Sequence, residues 1–337
     1  MKIIKAKAPG KLILSGEHAV VHGYPALAMA VNRYAKTIVS SQSRPSILFD
    51  LLNLKYKRAH TLETLKQLKE RVHTAHQEFK AGERNIREVL RRPFELLQYT
   101  ATNFLEKLNL SVTQGIKIHT RSDIPVGCGM GSSAATIVST NHALSHYHEQ
   151  NVTFQKYLEL GIEAENMQHG RSSGIDLHLA LHGGCFFLED QTFYPRSVPP
   201  FNFHIIQTGK PESTTGECVK HVEKHFRYSS LGKEFEAVAY AMDTAWKNHD
   251  LEGFKEAIQE NEHLLEIIGV VSEKVKMFIQ KAKTVGAAIK VCGAGTVSGD
   301  SVGTLLIISE NPLKSLLNEY GYKMESIECV SEGVHIV

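Results

Sequence analysis

Residues 125–135 read Pro-Val-Gly-Cys-Gly-Met-Gly-Ser-Ser-Ala-Ala, with glycine at every second position from Gly127 to Gly131. Alternate glycines let backbone N–H groups converge on a polyphosphate without obstruction by a Cβ. A helix opening at Ser132 adds the positive end of its dipole, and the hydroxyls of Ser132 and Ser133 can meet phosphate or metal. The loop is not a Walker A motif, because no Gly-Lys-Ser/Thr follows. Nor is it the dinucleotide fingerprint, because Ser132 stands where the third glycine belongs. The plain alternative is a tight turn with a serine N-cap.

Three further segments carry reactive groups. Residues 7–23, Lys-Ala-Pro-Gly-Lys-Leu-Ile-Leu-Ser-Gly-Glu-His-Ala-Val-Val-His-Gly, gather Lys11, Glu17 and His18 around tight turns. Residues 165–176 place Glu165 late in one helix and Asp176 just beyond a flexible loop, so two carboxylates can share a site, one on Mg²⁺ and one on a hydroxyl. Residues 292–300 form a second glycine loop, with Gly293 and Ala294 at its start. Each alone reads more simply as surface charge, a helix-surface glutamate with a capping aspartate, or an ordinary strand connection.

Other groups carry weaker signals. The pairs His142/His146 and His178/His182 have the i,i+4 spacing that shares a metal on a helix, but neither has a third ligand nearby or an HExxH pattern. Cys128 lies in the glycine loop, where amide dipoles lower a thiol's pKa. A small residue that fits the turn is the simpler reading.

These segments must be positioned by strands and helices. Strands are expected at residues 2–7 and, after the Pro9-Gly10 turn, at 11–14, then at 26–31 and 37–40. The spacing of Leu62, Leu65, Leu68 and Val72, and of Val89, Leu90, Leu96 and Leu97, predicts helices within 60–108, turning near Gly82. A strand at 115–119 precedes the glycine loop, a helix follows from Ser132 to about His148, and another spans 154–169. Strands are expected at 185–188 and 203–207, with a Thr/Ser-rich turn at 213–216. Helices then fill about 231–283, broken near Gly269, before strands at 287–291 and 304–308. Strands and helices mixed without strict alternation predict an α+β fold in two lobes, 1–193 and 194–337.

Composition sets the class. The chain has 337 residues, is 42% hydrophobic and 22% charged, and carries a net charge of +2. That permits a normal core and gives no polybasic arm or acidic tail for nucleic acid. No apolar stretch reaches the length of a membrane span, and Lys7 and Lys11 interrupt any signal peptide. Five scattered cysteines without a CxxC pair suit reduced thiols. The expectation is a soluble cytoplasmic enzyme or binding protein.

Taken together, the four segments resemble the GHMP kinase superfamily, most closely its mevalonate kinase branch. Residues 7–23 look like the N-terminal motif, 125–135 like the ATP loop and 293–299 like the C-terminal glycine motif. The resemblance implies a two-lobed fold with the active site in the cleft between lobes, and ATP-dependent phosphorylation of the primary hydroxyl of mevalonate, a step of isoprenoid biosynthesis. A GHMP kinase for another small hydroxylated substrate, or a non-catalytic nucleotide-binding regulator, are the alternatives. The implied partners are a small-molecule substrate and ATP, with Mg²⁺ as cofactor and room for a homodimer.

By the same resemblance, Pro125, Gly127, Gly129, Met130, Gly131, Ser132, Ser133 and Ala134 hold ATP, and Ser133 and Glu165 hold Mg²⁺. Asp176 takes the proton of the attacking hydroxyl, with Lys11 beside it. Glu17, His18, Thr215, Gly293 and Ala294 face the substrate, and residues 53–58 lie where the family often contacts the base. Ala19-Val20-Val21 replaces the Asp-Tyr pair of galactokinases and leaves a more apolar wall. Two departures stand out: Thr136 where animal mevalonate kinases carry tyrosine, and Thr296-Val297-Ser298 where the family often continues with glycines.

Overall fold

The computed structural model describes residues 2–199 and 201–337. The chain opens with strands β1 (Ile3–Ser15), β2 (Ala26–Gln42), β3 (Ile47–Leu51) and β4 (Tyr56–His60), followed by helices α1 (Leu62–Lys80) and α2 (Glu95–Lys107). Strand β5 (Gly115–Ser122) leads through the glycine loop into α3 (Ser132–Tyr147), then α4 (Phe154–His169) and α5 (Ile175–His182). Strands β6 (Cys185–Glu189), β7 (Thr192–Arg196) and β8 (Phe203–Gln207) precede α6 (Thr215–Tyr228), α7 (Leu231–Asn248), α8 (Leu251–Ile267) and α9 (Glu273–Lys283). The chain ends with β9 (Ala288–Cys292), β10 (Thr304–Ile308), α10 (Lys314–Tyr320), β11 (Lys323–Ile327) and β12 (His335–Ile336).

The strands form two sheets. The larger runs β12-β1-β2-β5-β3-β4, with β6 and then β7 joined to the other half of β2, and only β3 and β5 pair in parallel. The smaller is an antiparallel sheet in the order β11-β8-β10-β9. Strands β9 and β10 are buried along their whole length. Their largely apolar runs, interrupted in β9 by Lys290, suit strands covered on both faces, α8 and α9 lying against β9. Residue 193 falls inside β7, and β12 returns to pair Ala6 and Lys7 of the first sheet.

Several sequence expectations are corrected here. Residues 2–7 and 11–14 belong to one strand, because Pro9-Gly10 forms a bulge rather than a turn: Pro9 pairs with Tyr34 and Gly10 with Val31. A proline is tolerated at such an irregularity, where its missing N–H breaks no ladder bond. Residues 26–31 and 37–40 are likewise one strand, β2, with β6 on residues 26–29 and β5 on 35–42. The hairpin β3–β4 precedes α1, whose Thr61 N-cap accepts from Thr64 N–H. The expected turn at 213–216 is the start of α6, where Thr214 and Glu217 form a capping box. Helix α5 carried no helical period to read, since Ile175, Leu177, Leu179, Ala180 and Leu181 are all buried.

Candidate active site

The glycine loop lies between the two sheets, and its glycines answer to backbone contact as well as to phosphate. Gly127, Gly129 and Gly131 all have positive φ. A Cβ on Gly129 would stand 2.3 Å from the carbonyl oxygen of Cys292, at the end of β9. A Cβ on Gly10 would stand 2.8 Å from the carbonyl of Met130, whose oxygen accepts from Lys11 N–H at 3.0 Å. Gly10, at the register shift where β2 carries the two extra residues Asn32 and Arg33, therefore seats the loop, with Lys11 next to it at the loop's end. Gly131 caps α3 in the left-handed conformation and offers no side chain to the helix amides. Those amides and the helix dipole suit an anion.

Two carboxylates and a lysine meet at this helix end. Lys11 Nζ lies 3.3 Å from Asp176 Oδ1, and Lys11 is 4% exposed. A Cβ on Gly131 would be 2.9 Å from Lys11 Cγ and 3.4 Å from Asp176 Oδ2, so the pair closes the end of the loop. Asp176 sits in the first turn of α5, where the helix dipole favours its charge. Glu165, on α4, is buried and accepts from Ser172 Oγ at 2.6 Å. Burial and then the Asp176 carboxylate push its carboxyl up to about 8, against the opposing influence of Ser172, Lys11 and Ser133.

The other wall is built from the turn after β1 and the start of the C-terminal glycine motif. His18 is buried, has a positive φ of 62°, and its Nε2 lies 3.1 Å from the Ala294 carbonyl. A carbonyl only accepts, so Nε2 carries the hydrogen. Burial holds the ring at about 4 and hence neutral, which leaves Nδ1 as an acceptor, and Nδ1 has no partner among the described residues. Glu17 is 1% exposed, and its carboxylate is engaged by Lys290 and, at 3.4 Å, by Asn261. Thr214 is used as the cap of α6, while Thr215, the first residue of that helix, lines the cleft. Gly293 approaches Gly129 so closely that a Cβ would be 2.7 Å from its Cα. The departing stretch after it is bonded in place: Thr296 Oγ1 donates to Ser213 Oγ at 3.2 Å, and Val297 N–H donates to the same oxygen at 3.1 Å. Thr136, the other departure, donates to the Ser132 carbonyl within α3 and also lines the cleft.

Together these walls enclose a cleft of about 700 Å³, lined by residues of every one of the four segments. Asn53 and Leu54 line it too, Asn53 bonding both ways to the Ser122 backbone, whereas residues 56–58 belong to β4. Among the described residues no three His, Cys, Asp or Glu side chains cluster as a metal site. The histidine pairs pack against aromatic rings instead, His178 stacking on Phe193 at 3.6 Å. Cys128 is buried and its pKa is raised by that burial, the opposite of activation by amide dipoles.

Residues 95–184 match the GHMP kinases N terminal domain. The mevalonate kinase of Pyrococcus horikoshii is 31% identical over 312 residues, covering 88% of this chain and 87% of that protein. The mevalonate kinase of Methanocaldococcus jannaschii is 26% identical, covering 93% and 94%. The chain belongs to the mevalonate kinase family of GHMP kinases. A crystal structure of a mevalonate kinase superposes with a TM-score of 0.79 at 24% identity, covering 98% of this chain and all of that one, so the GHMP kinase fold is shared throughout.

In and behind this GHMP kinase cleft, sequence reasoning passed over Lys210, Arg171 and the fully buried Lys290. Lys210 follows β8, and its Cε lies 3.5 Å from where a Cβ on Gly127 would be, so it reaches over the glycine loop from the second sheet. Arg171 lies in the loop between Glu165 and Asp176. Lys290 had a legible signal, a lysine inside the otherwise apolar run Ala287–Val291. The first two are surface-type residues in connecting loops, and nothing in their spacing marks them.

Proposed function

We propose that this chain transfers the γ-phosphoryl group of ATP to the primary hydroxyl of mevalonate, giving 5-phosphomevalonate and ADP. The observation that carries this reading is the Lys11–Asp176 pair at the mouth of the glycine loop, 3.3 Å apart and abutting Gly131. Family membership favours mevalonate over another hydroxylated acceptor, and the apolar Val20-Val21 wall agrees with it.

In this reading the loop amides from Gly127 to Gly131, the Ser132 hydroxyl and the α3 N-terminus hold the polyphosphate, with Lys210 above it. Pro125, Met130 and Ala134 shape that seat. Ser133 and Glu165 would hold Mg²⁺. They suit it, because a buried carboxylate lies close to a second one with a hydroxyl beside it, and the single cation there, Lys11, is paired with Asp176. When bound, the ion neutralises charge on the phosphates. The substrate hydroxyl loses its proton to Asp176 as its oxygen bonds to the γ-phosphorus, and the bond from that phosphorus to the β-bridging oxygen breaks to leave ADP. Lys11 orients Asp176 and the hydroxyl. Since phosphoryl transfer passes through a loose transition state, positioning and charge neutralisation outweigh base strength.

On the acceptor side, neutral His18 lines the cleft, flanked by Thr215, Gly293 and Ala294. Glu17 acts from behind His18. Residues 1–193 make the ATP-binding lobe and 194–337 the lobe that faces it, and the protein works in the cytoplasm. ADP release is the test: the full chain with ATP and Mg²⁺ should release ADP when mevalonate is added. ADP formation that is indifferent to mevalonate would defeat the proposal.

A further inference from the structure

Most cationic side chains around the cleft already have a use. Lys11 is paired with Asp176, Arg87 with Glu217, and Arg121 stands 3.9 Å from Asp123. Lys210 lies over the glycine loop. Arg91, Arg92 and Arg171 also line the cleft, and among the described residues their side chains make neither an ion pair nor a hydrogen bond; of the three, Arg171 is the one carried on the loop between Glu165 and Asp176.

Its root is nevertheless fixed. Gly170 has a φ of 82°, and a Cβ there would meet the Phe79 ring at 2.8 Å. On the other side, Ser172 N–H donates to Asn166 Oδ1 at 2.8 Å, Ser172 Oγ donates to Glu165, and Gly174 N–H donates back to Ser172 Oγ at 3.0 Å. The backbone bearing Arg171 is thus tied to the carboxylate pair, while the guanidinium is free at its tip. Arg171 lines the same cleft as His18, Val20 and Val21 of the turn after β1. After burial, and set against the opposing pull of Glu223, the charge of Arg171 contributes to lowering His22 in that turn. Arg171 and the His18 turn thus face one cleft, beside the Asp176 carboxylate that meets the phosphoryl acceptor.

We propose that Arg171 recognises the carboxylate of the acceptor and makes the site selective for hydroxy acids. The inference rests on the proposed function, because mevalonate bears its carboxylate at the end remote from the phosphorylated hydroxyl. A carboxylate entering this wall needs a cation. Lys11 is engaged by Asp176, and buried His18 is neutral. A guanidinium supplies two parallel N–H donors in the geometry a carboxylate accepts.

The test compares mevalonate with its uncharged primary amide, by equilibrium titration in the presence of ADP and Mg²⁺ and by turnover. The full chain should favour the acid. Arg171→Met should weaken binding of the acid by about 10- to 100-fold, the range of a charge-assisted hydrogen bond, and leave the amide and ATP little changed. Acid and amide then bind alike, and Arg171→Lys restores part of the preference. If Arg171→Met keeps the wild-type preference for the acid, the proposal is overturned. It is equally overturned if Arg92→Met, on another edge of the cleft, abolishes that preference instead. Acid that binds through Arg171 without being phosphorylated would sink the functional reading and leave this one standing.

Discussion

At the scale of single residues, the account turns on what each polar group has left to offer. Asp176 is partly exposed and shares only Lys11, so it remains open to a substrate hydroxyl, while Glu165 behind it is buried. Replacing Asp176 with Asn keeps the shape and removes the proton acceptor. The expected result is a fall in kcat of about 10²–10⁴-fold, the usual range for a positioned acid–base group, with ATP binding little altered by equilibrium titration. Near-normal turnover in that variant would refute the role. The sequence placed Lys11 in one segment and Glu165 with Asp176 in another, and motif resemblance alone could join the lysine to the carboxylates. It did not reveal that Glu17, read there as facing substrate, is held by Lys290 and Asn261. Such a pairing spans more than 240 residues of chain and leaves no local pattern.

At the scale of elements, β1 and β9 are locked together beneath the cleft. Lys290 Nζ reaches Glu17 and also donates to the Val291 carbonyl at 2.8 Å and the Ile13 carbonyl at 3.3 Å. Removing one partner leaves a buried charge uncompensated, so Lys290→Met should destabilise the fold by about 3–5 kcal/mol in chemical denaturation. The double variant Glu17→Leu/Lys290→Met should recover much of that loss. If the single variant costs nothing, the pair is not what joins these strands.

Helix α8 adds a pH dependence. Burial raises Glu262, which accepts from Val291 N–H at 2.7 Å, to about 8 in the presence of Lys290, Glu266 and Lys283. The folded value lies above the ordinary 4.5, so this proton stabilises the fold fully below about 4.5 and the contribution is lost as pH rises through about 8. Stability should therefore fall between about pH 4.5 and 8 and level off above that, and Glu262→Gln should flatten the decline. An identical slope in the variant would contradict this. Strong local signals made α4, β8 and β10 legible to the residue. The bulge at Pro9-Gly10 was not, because only the loop pressing on Gly10 explains why the chain continues as a strand.

At the scale of the whole molecule, function arises where two sheets meet. The glycine loop belongs to the first sheet, yet its close contacts at Gly129 and Gly293 are with the end of β9 in the second. The α+β class, the cleft and the loop were readable from residue types and motif resemblance. The return of β12 to the first sheet was not, since a two-residue strand has no period. Among the described residues no helix is long and apolar enough to cross a membrane. The most direct test of the central claim is a competition in one tube, with ATP, Mg²⁺ and equal amounts of mevalonate, galactose and homoserine, followed by ³¹P NMR. The account predicts a single new phosphate monoester, on the primary hydroxyl of mevalonate, growing in step with ADP. Phosphate appearing on another acceptor, or ATP left intact beside mevalonate, would contradict it.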